Sequence, residues 1–166
     1  MDLMKPLTER EIRSAFVNCS KGESKRLSVP RDLADRPWGD LDFLGWRDPQ
    51  APDRAYLVME SGAGHTGIQL RSTAAGSSQT RRSMCSMCVT VHTGGVSLLV
   101  APKPGKAGKQ GNSVGAYMCT DLACSLYVRG KKDAGVGGRL RESLSLEQQI
   151  ERTVANLAAF IAKVTA

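Results

Sequence analysis

Hydrophobic residues recur at helical spacing near the beginning of the chain. Thr8 and Glu11 have the spacing of a capping box, in which each side chain bonds the backbone N–H of the other residue. The apolar residues that follow at helical intervals are Ile12, Ala15 and Phe16. This pattern predicts a short helix that begins after Thr8 and ends near Lys21 and Gly22.

A longer amphipathic pattern lies at the C-terminal end. Ser145 and Gln148 repeat the capping-box spacing and predict the start of a second helix. Its apolar stripe consists of Leu146, Ile150, Val154, Leu157, Ile161 and Val164. We expect this stripe to face the protein core, and the alternative is that it docks into a groove on a partner.

Strand patterns lie between the two helices. Segments 54–60 and 67–71 predict two strands joined by the glycine-rich turn 61–66, in which His65 would be exposed to solvent. The preceding segment 30–54 is rich in Pro, Asp and Trp. We expect it to be an ordered loop whose apolar side chains enter the core.

A second group of strands follows a polar run at 72–82, which predicts a mobile connection. Segments 89–92 and 96–101 flank the turn sequence 93–95 and predict a hairpin. A further strand through 116–118 would lead the chain into Cys119 and a short helix.

Four cysteines form two close pairs. Cys85 and Cys88 are three positions apart, Cys119 and Cys124 are five positions apart, and thirty residues separate the pairs. This spacing is typical of four thiolates that hold one tetrahedral Zn²⁺ ion. A cysteine pair in a knuckle, a hairpin and a second pair at the start of a helix are the elements of a treble-clef zinc finger.

Other interpretations of these residue types stay open. The four cysteines could be buried free thiols, whereas disulfides are rare in a reducing compartment. His92 could replace one cysteine as a ligand, although its position on a strand is more typical of an ordinary strand residue. Cys19 stands alone, and we expect it to be a small apolar core or helix-end residue.

Together the elements predict an α+β fold with small antiparallel β-hairpins, a four-cysteine treble-clef zinc finger, and flanking N-terminal and C-terminal helices. We expect a single domain over residues 1–166. Its parts would be an N-terminal α/β portion at 1–71, a connection at 72–84, the zinc finger at 85–132 and the C-terminal helix portion at 133–166.

Positive charge is concentrated in one part of the chain. The net charge is +7, and residues 71–132 carry nine Lys or Arg residues against one acidic residue. This excess predicts an anionic partner. The candidate contact residues are Lys103, Lys106 and Lys109 in a flexible Lys-x-Gly loop, Arg129, Lys131 and Lys132 after the zinc helix, and Tyr127 as an aromatic anchor. The alternative for the lysine loop is solvated chain without a partner.

The sequence favours a binding protein over an enzyme. A four-cysteine zinc site has no open position for water or substrate, so we expect a single structural Zn²⁺ and no small-molecule substrate. Two dispersed histidines and no evident pair of nucleophile and base argue against general acid–base catalysis. No apolar stretch suits a secretory signal or a membrane span, so we expect no membrane contact and a cytoplasmic location.

Five stretches of the sequence resemble the elongation factor G-binding family that includes the FusB-type fusidic acid resistance proteins. The resemblance is to the C-terminal treble-clef zinc-binding domain of that family. It runs through residues 16–22, 41–49, 85–88, 111–115 and 117–129, and the two cysteine motifs with their flanks are its specific part.

The resemblance implies a bacterial, non-catalytic protein that binds translation elongation factor G and can promote its release from the ribosome. It also implies that Cys85, Cys88, Cys119 and Cys124 are the zinc ligands. Resistance proteins of this family carry an additional N-terminal helical region, and this chain starts almost directly at the zinc domain. We therefore expect factor binding more than drug protection. The alternative function is an RNA-binding or ribosome-binding zinc module without direct contact to the factor.

Overall fold

A computed structural model of the protein describes residues 4–62, 64–72, 82–135 and 137–166. The predicted connection at 72–82 lies almost entirely outside the described residues. Within the described part the chain combines antiparallel strands and helices, and this confirms the predicted α+β fold class. The strands are β1 (Leu44–Arg47), β2 (Arg54–Ser61), β3 (Gly64–Ser72), β4 (Arg82–Met84), β5 (Val91–Thr93), β6 (Val96–Pro102) and β7 (Ser113–Cys119). The helices are α1 (Glu9–Ala15), α2 (Lys21–Arg26), α3 (Gly105–Lys109), α4 (Cys124–Val128) and α5 (Leu146–Thr165).

Five strands form the central sheet in the order β1-β2-β3-β6-β7, with every neighbouring pair antiparallel. β2 and β3 form the predicted hairpin, which is longer than expected because pairing continues to Ser61 opposite Gly64. His65 therefore lies in β3 opposite Glu60, and not in the turn where the sequence placed it. β6 and β7 pair over their whole length, from Val96 opposite Cys119 onward.

The two faces of this sheet have different cores. Successive residues of β2 point to opposite faces of the sheet. Leu57 belongs to the core that contains the four cysteines, and Tyr56 belongs to the other core. We call the first side the zinc face; α5 packs there through Leu157, Phe160, Ile161 and Val164. We call the second side the aromatic face; there the ring of Phe16 meets those of Trp46 and Tyr56 edge-on, at centroid distances of 6.4 and 5.8 Å.

The first helix begins as predicted but ends earlier. The reciprocal bonds between Thr8 and Glu11 are present at the start of α1. The chain leaves the helix at Phe16, which forms a parallel bridge with Gly67 of β3. A β-carbon at Gly67 would lie 3.2 Å from the Phe16 ring, so the absence of a side chain there permits the close contact.

A second capping box occupies the region where the first helix was expected to end. The Ser20 side chain accepts from the backbone of Glu23, and the Glu23 carboxylate accepts from the backbone of Ser20. The predicted end near Lys21 and Gly22 is therefore wrong, because these residues open α2. The sequence signal was present, since Ser20 and Glu23 have the same spacing as Thr8 and Glu11.

The segment at 30–54 contains more regular structure than expected. It holds two short 3-10 turns, at Leu33–Asp35 and Trp38–Asp40, and the edge strand β1. Trp46 in β1 is buried and its indole N–H donates to the Ser28 carbonyl at 2.7 Å. The strand was missed because pairing with β2, and not a local pattern, keeps this short segment extended.

The hairpin predicted at 89–101 is wrong in its pairing. β5 pairs with β4, with Ser83 opposite His92, while β6 pairs with β3 and β7 in the central sheet. The turn between β5 and β6 therefore passes the chain from one sheet to the other. Sequence patterns identified both strands, but their partners are set by tertiary packing.

The Lys-x-Gly segment also differs from its prediction, because Gly105–Lys109 forms the short helix α3. A β-carbon at Gly108 would lie 1.8 Å from the Lys103 carbonyl oxygen, so this packing requires glycine. The backbone N–H of Lys103 donates to the Asn112 carbonyl at 2.9 Å and closes the loop. Its glycines permit a compact turn, whereas the sequence indicated an unstructured connection.

The C-terminal helix is confirmed. Ser145 and Gln148 make the reciprocal bonds of the capping box, and α5 extends to Thr165. Leu157, Ile161 and Val164 of the predicted stripe are buried, which agrees with a core role. Leu146, in the first turn, is 46% exposed.

Candidate metal centre

Four buried sulfurs lie together at the edge of the zinc face. The Sγ atoms of Cys85, Cys88, Cys119 and Cys124 are all within 4.8 Å of one another. The Cys85–Cys124 and Cys88–Cys119 distances are 3.7 and 3.5 Å. Zinc–sulfur bonds of about 2.3 Å in a tetrahedron require sulfur–sulfur distances of about 3.8 Å. The cluster therefore fits one Zn²⁺ ion.

The first cysteine pair is positioned by a tight knuckle after β4. The Cys85 N–H donates to the Thr90 carbonyl at 2.9 Å, and the Val89 N–H donates back to the Cys85 carbonyl at 3.0 Å. Val89 has a φ of 62°, an uncommon conformation for a β-branched residue. The Met87 N–H points at the Cys85 sulfur at 3.3 Å, as expected of an amide that stabilises a thiolate.

The second pair connects a strand to a helix. Cys119 is the last residue of β7 and Cys124 is the first residue of α4, which is the zinc helix. Between them, the Leu122 N–H donates to the Cys119 carbonyl, and Asp121 accepts from the Ala123 N–H at 3.1 Å. The strand, the turn and the helix bring both sulfurs to the knuckle, as a treble-clef finger requires.

Adjacent thiols cannot all lose their protons without a cation. Hydrogen bonds from Cys119 and then Cys124 lower the pKa of Cys85, whereas the bond to Cys119 and the burial of the site raise the pKa of Cys124. A divalent ion removes this conflict, because its charge stabilises all four thiolates. With every position of the tetrahedron taken by sulfur, the Zn²⁺ ion is structural.

A hydroxyl and an imidazole surround two of the sulfurs. Thr90 Oγ1 lies 3.0 Å from Cys88 Sγ and 2.9 Å from His92 Nε2, and the same ring nitrogen is 3.6 Å from Cys119 Sγ. The four cysteines form the ligand group without His92, so His92 contacts a ligand and is not required as one. Burial lowers the pKa of His92, which favours the neutral form of its ring.

Two of the predicted contact residues are buried. Tyr127 is 7% exposed, packs against the His92 ring with 4.5 Å between centroids, and donates its hydroxyl proton to Asp121 at 2.7 Å. Arg129 forms a buried ion pair with Asp42. Neither side chain is available as a surface anchor, because both hold the zinc helix in place. The sequence assigned them to a partner since residue type alone does not reveal burial.

The other candidate cations are on the surface. Lys106 and Lys109 on α3 and Lys131 after α4 are exposed, and Lys103 is half-buried with its Nζ 3.3 Å from the Ala166 carbonyl oxygen. Lys132 is exposed but is paired with Asp121 at 2.6 Å. The structure thus divides the predicted set into a lysine group at α3 and a second group beside the zinc helix.

An exposed aromatic residue was missed. Tyr117 in β7 is 49% exposed, while its neighbours Ala116 and Met118 pack against the zinc core. Its backbone carbonyl accepts from the Ser86 N–H at 2.8 Å, which places it beside the knuckle. Strand periodicity could have found it, because alternate residues of a strand point to opposite faces.

No helix of the described part is long and apolar enough to cross a membrane.

Comparisons with known proteins agree with this geometry. Residues 11–164 match the family described as FBP C-terminal treble-clef zinc-finger. The fold is similar to the structure of the fusidic acid resistance protein FusC, with a TM-score of 0.62 and 17% sequence identity. That alignment covers 98% of this chain and 60% of FusC, so the chain spans less than two thirds of that protein. Among curated proteins, none matches the chain significantly.

Proposed function

Because this chain belongs to the FBP C-terminal treble-clef zinc-finger family, we propose that it is a non-catalytic zinc protein that binds translation elongation factor G and promotes its release from the ribosome. The family match over residues 11–164 is the observation that carries the proposal, because it includes both cysteine pairs. The fold shared with FusC supports it. The alignment covers 60% of FusC, and the proposal concerns factor binding and release.

The closed metal centre supports a binding role. All four sulfurs are buried and directed at one another, so a bound Zn²⁺ ion has no free position for water or substrate. The ion would contribute folding energy and fix the geometry of the knuckle, β7 and α4. A rigid frame of this kind lowers the entropy cost of binding, because the contact surface is already ordered.

The contact surface that we propose is the α3 surface, which we define as Lys103, Lys106, Lys109 and Tyr117. Tyr117 pairs with Leu98 in the ladder, and this position puts its side chain on the aromatic face. A groove of about 580 Å³ on that face is lined by Val100 of β6 together with Lys103 and Lys109. The exposed cations Lys106 and Lys109 would favour encounter with an acidic surface, and the aromatic ring would supply apolar contact area.

Lys131 and Lys132 form a second candidate contact beside the zinc helix. Lys132 lies over the Tyr127 ring, 5.6 Å from its centroid, and its ammonium group is paired with Asp121. A partner would therefore compete with Asp121 for Lys132, whereas Lys131 is exposed. We propose these residues as a secondary contact for the same factor.

Isothermal titration calorimetry with purified elongation factor G tests the proposal directly. We expect saturable binding in the micromolar range or tighter, and faster loss of the factor from pelleted ribosomes when the protein is added. Undetectable heat and unchanged release would contradict it. An RNA gel shift in parallel tests the alternative function, which predicts affinity that falls steeply with salt because counterions are released.

A further inference from the structure

A groove lies between the first two helices, on the aromatic face and away from the metal centre. Its volume is about 650 Å³ and it opens widely to solvent. One wall is a stripe of α1 that includes Arg10 and Ser14, and the other is a stripe of α2 formed by Lys21, Ser24 and Lys25. Both stripes have helical spacing, so each helix presents one side to the groove.

Arg13 holds the two walls at a fixed separation. Its Nη1 donates to the carbonyl oxygens of Ser24, Lys25 and Leu27, at 3.0, 2.8 and 2.8 Å. These carbonyls end α2 and have no partner within the helix. The Nε and Nη2 atoms of Arg13 bond Glu9 on its own helix, so the guanidinium joins α1 to the end of α2. The groove is therefore preformed.

The charges of the groove are unbalanced. Arg10 on the α1 wall and Lys21 and Lys25 on the α2 wall are exposed, and none of them forms an ion pair with a described residue. The single acidic lining residue, Glu9, is paired with Arg13. Cations thus border the groove on both sides. Their charges stay available to an anionic ligand.

The floor of the groove is apolar. The half-buried ring of Phe16 lines it and also makes edge contacts with Trp46 and Tyr56. The thiol of Cys19 completes the floor; burial raises its pKa to about 11, so it adds no negative charge at neutral pH. A ligand here would meet apolar surface in the middle and positive charge at both edges.

We propose that this groove binds an acidic peptide segment of a partner protein, with one apolar side chain over Phe16 and carboxylates on both sides. An open groove with cations on both walls suits an extended or helical segment with acidic residues on two sides. The charge complementarity favours an anionic segment over a neutral one. Nucleic acid fits less well, because Phe16 is the single aromatic side chain among the lining residues, whereas single-stranded nucleic acid stacks successive bases on several aromatic rings.

This inference does not depend on the proposed function, since Lys103, Lys106, Lys109 and Tyr117 do not line this groove, although Cys19 lines both it and the neighbouring groove of about 580 Å³. The probe is a fluorescein-labelled peptide of about ten residues that consists of Glu with one central Phe and two flanking Leu. We expect a saturable rise in fluorescence anisotropy with the zinc-loaded protein. Amide shifts in ¹⁵N spectra should be largest at Ser14 and Ser24.

A triple variant, Arg10→Gln, Lys21→Gln and Lys25→Gln, should weaken peptide binding by about tenfold or more. Arg13 is left unchanged in this variant because it holds the helices together. The matched control is Lys103→Gln, Lys106→Gln and Lys109→Gln, which removes three cations from the α3 surface and should leave peptide affinity unchanged. Melting curves of both variants separate binding effects from unfolding.

Four outcomes would overturn the proposal. The first is no saturable binding by the wild type, and the second is equal weakening in the control variant. The third is equally tight binding of a peptide with Ser in place of Phe and Leu, or of inorganic tripolyphosphate, which would make the groove a general anion site. Loss of poly(A) RNA binding in the groove variant alone would reassign the groove to nucleic acid.

Discussion

Arg129 at the end of the zinc helix forms a two-point ion pair with Asp42, which lies 87 positions earlier in the chain. Its Nη1 and Nη2 atoms contact the two carboxylate oxygens at 2.7 and 2.8 Å. The two side chains are only 8% and 5% exposed. The backbone N–H of Asp42 also donates to Ser125 Oγ of α4. The pair thus fixes the zinc helix against the segment that leads into β1.

Removal of one partner of this pair should be costly. Asp42→Ala leaves the Arg129 charge buried and unpaired, and we expect the free energy of unfolding to fall by about 3 to 5 kcal/mol. Urea denaturation measures the change. The control is Asp32→Ala, which breaks the exposed pair with Arg36 and should cost less than about 1 kcal/mol. Equal effects of the two changes would contradict a structural role for the buried pair.

Loss of the metal should unfold the zinc finger. We expect one Zn²⁺ per chain by elemental analysis, and a lower melting temperature when a chelator is present. Cys124→Ser or Cys85→Ser should remove the zinc and disorder the C-terminal half. Cys19→Ser is the matched control, because Cys19 lies outside the cluster and should not change zinc content. If the wild type and Cys124→Ser melt alike under chelator and alike without it, the zinc has no structural role.

Thr90 should strengthen zinc binding through its contact with Cys88. Thr90→Val keeps the shape of the side chain and removes the hydroxyl that lies 3.0 Å from the sulfur. Zinc affinity should fall by about 10-fold to 100-fold, the range observed for groups that bond metal ligands. Competition with a chromogenic chelator measures it. Thr120→Val is the control, because Thr120 Oγ1 bonds Ser97 and not a cysteine.

The two tyrosines near the metal centre should respond differently to substitution. Tyr117→Ala should weaken binding to elongation factor G by about tenfold with little change in stability, because the ring is exposed. Tyr127→Ala should lower the free energy of unfolding by about 3 kcal/mol, since it removes a buried ring. Calorimetry and urea denaturation give the two quantities.

Charge reversal of Lys103, Lys106 and Lys109 to Glu should weaken the same binding while the melting temperature stays nearly constant. Unchanged factor affinity in both surface variants would exclude the α3 surface.

Cys19 should be the one thiol of the zinc-loaded protein that reacts with alkylating agents, and it should react slowly at neutral pH. Burial, and then the nearby Glu23 carboxylate, raise its pKa to about 11, so the thiolate is scarce at neutral pH. Iodoacetamide should modify one cysteine per chain, at a rate that rises with pH until the pH reaches about 11. Mass spectrometry after proteolysis identifies the site. A rate that levels off below pH 9 would show that the thiol is not desolvated as the structure indicates.

The spacing of residues along the sequence was sufficient to predict several elements of the structure. The capping boxes at Thr8 and Ser145 predicted where α1 and α5 begin, because the bonds that start a helix join residues three positions apart. The cysteine pairs predicted the metal centre for a similar reason. Each pair lies within one turn of backbone, so its spacing limits the geometry that it can form.

Long-range contacts between strands could not be predicted from the sequence. β5 pairs with β4 and not with β6, although the turn between β5 and β6 resembles a hairpin turn. β1 exists because β2 pairs with it. The pairing of strands depends on which surfaces are buried together, and no short segment contains that information.

The sequence by itself determined the four-cysteine cluster, the fold class and the amphipathic C-terminal helix, because each rests on residue types at fixed spacing. The tertiary structure alone decided which charged and aromatic residues remain at the surface. Arg129 and Tyr127 are residue types that often form interface contacts, but Arg129 pairs with the distant Asp42 inside the protein, and the ring of Tyr127 is buried against His92. Burial is a property of the folded chain. Which residues lie at the surface therefore depends on how distant segments pack together, and a local sequence pattern does not contain that information.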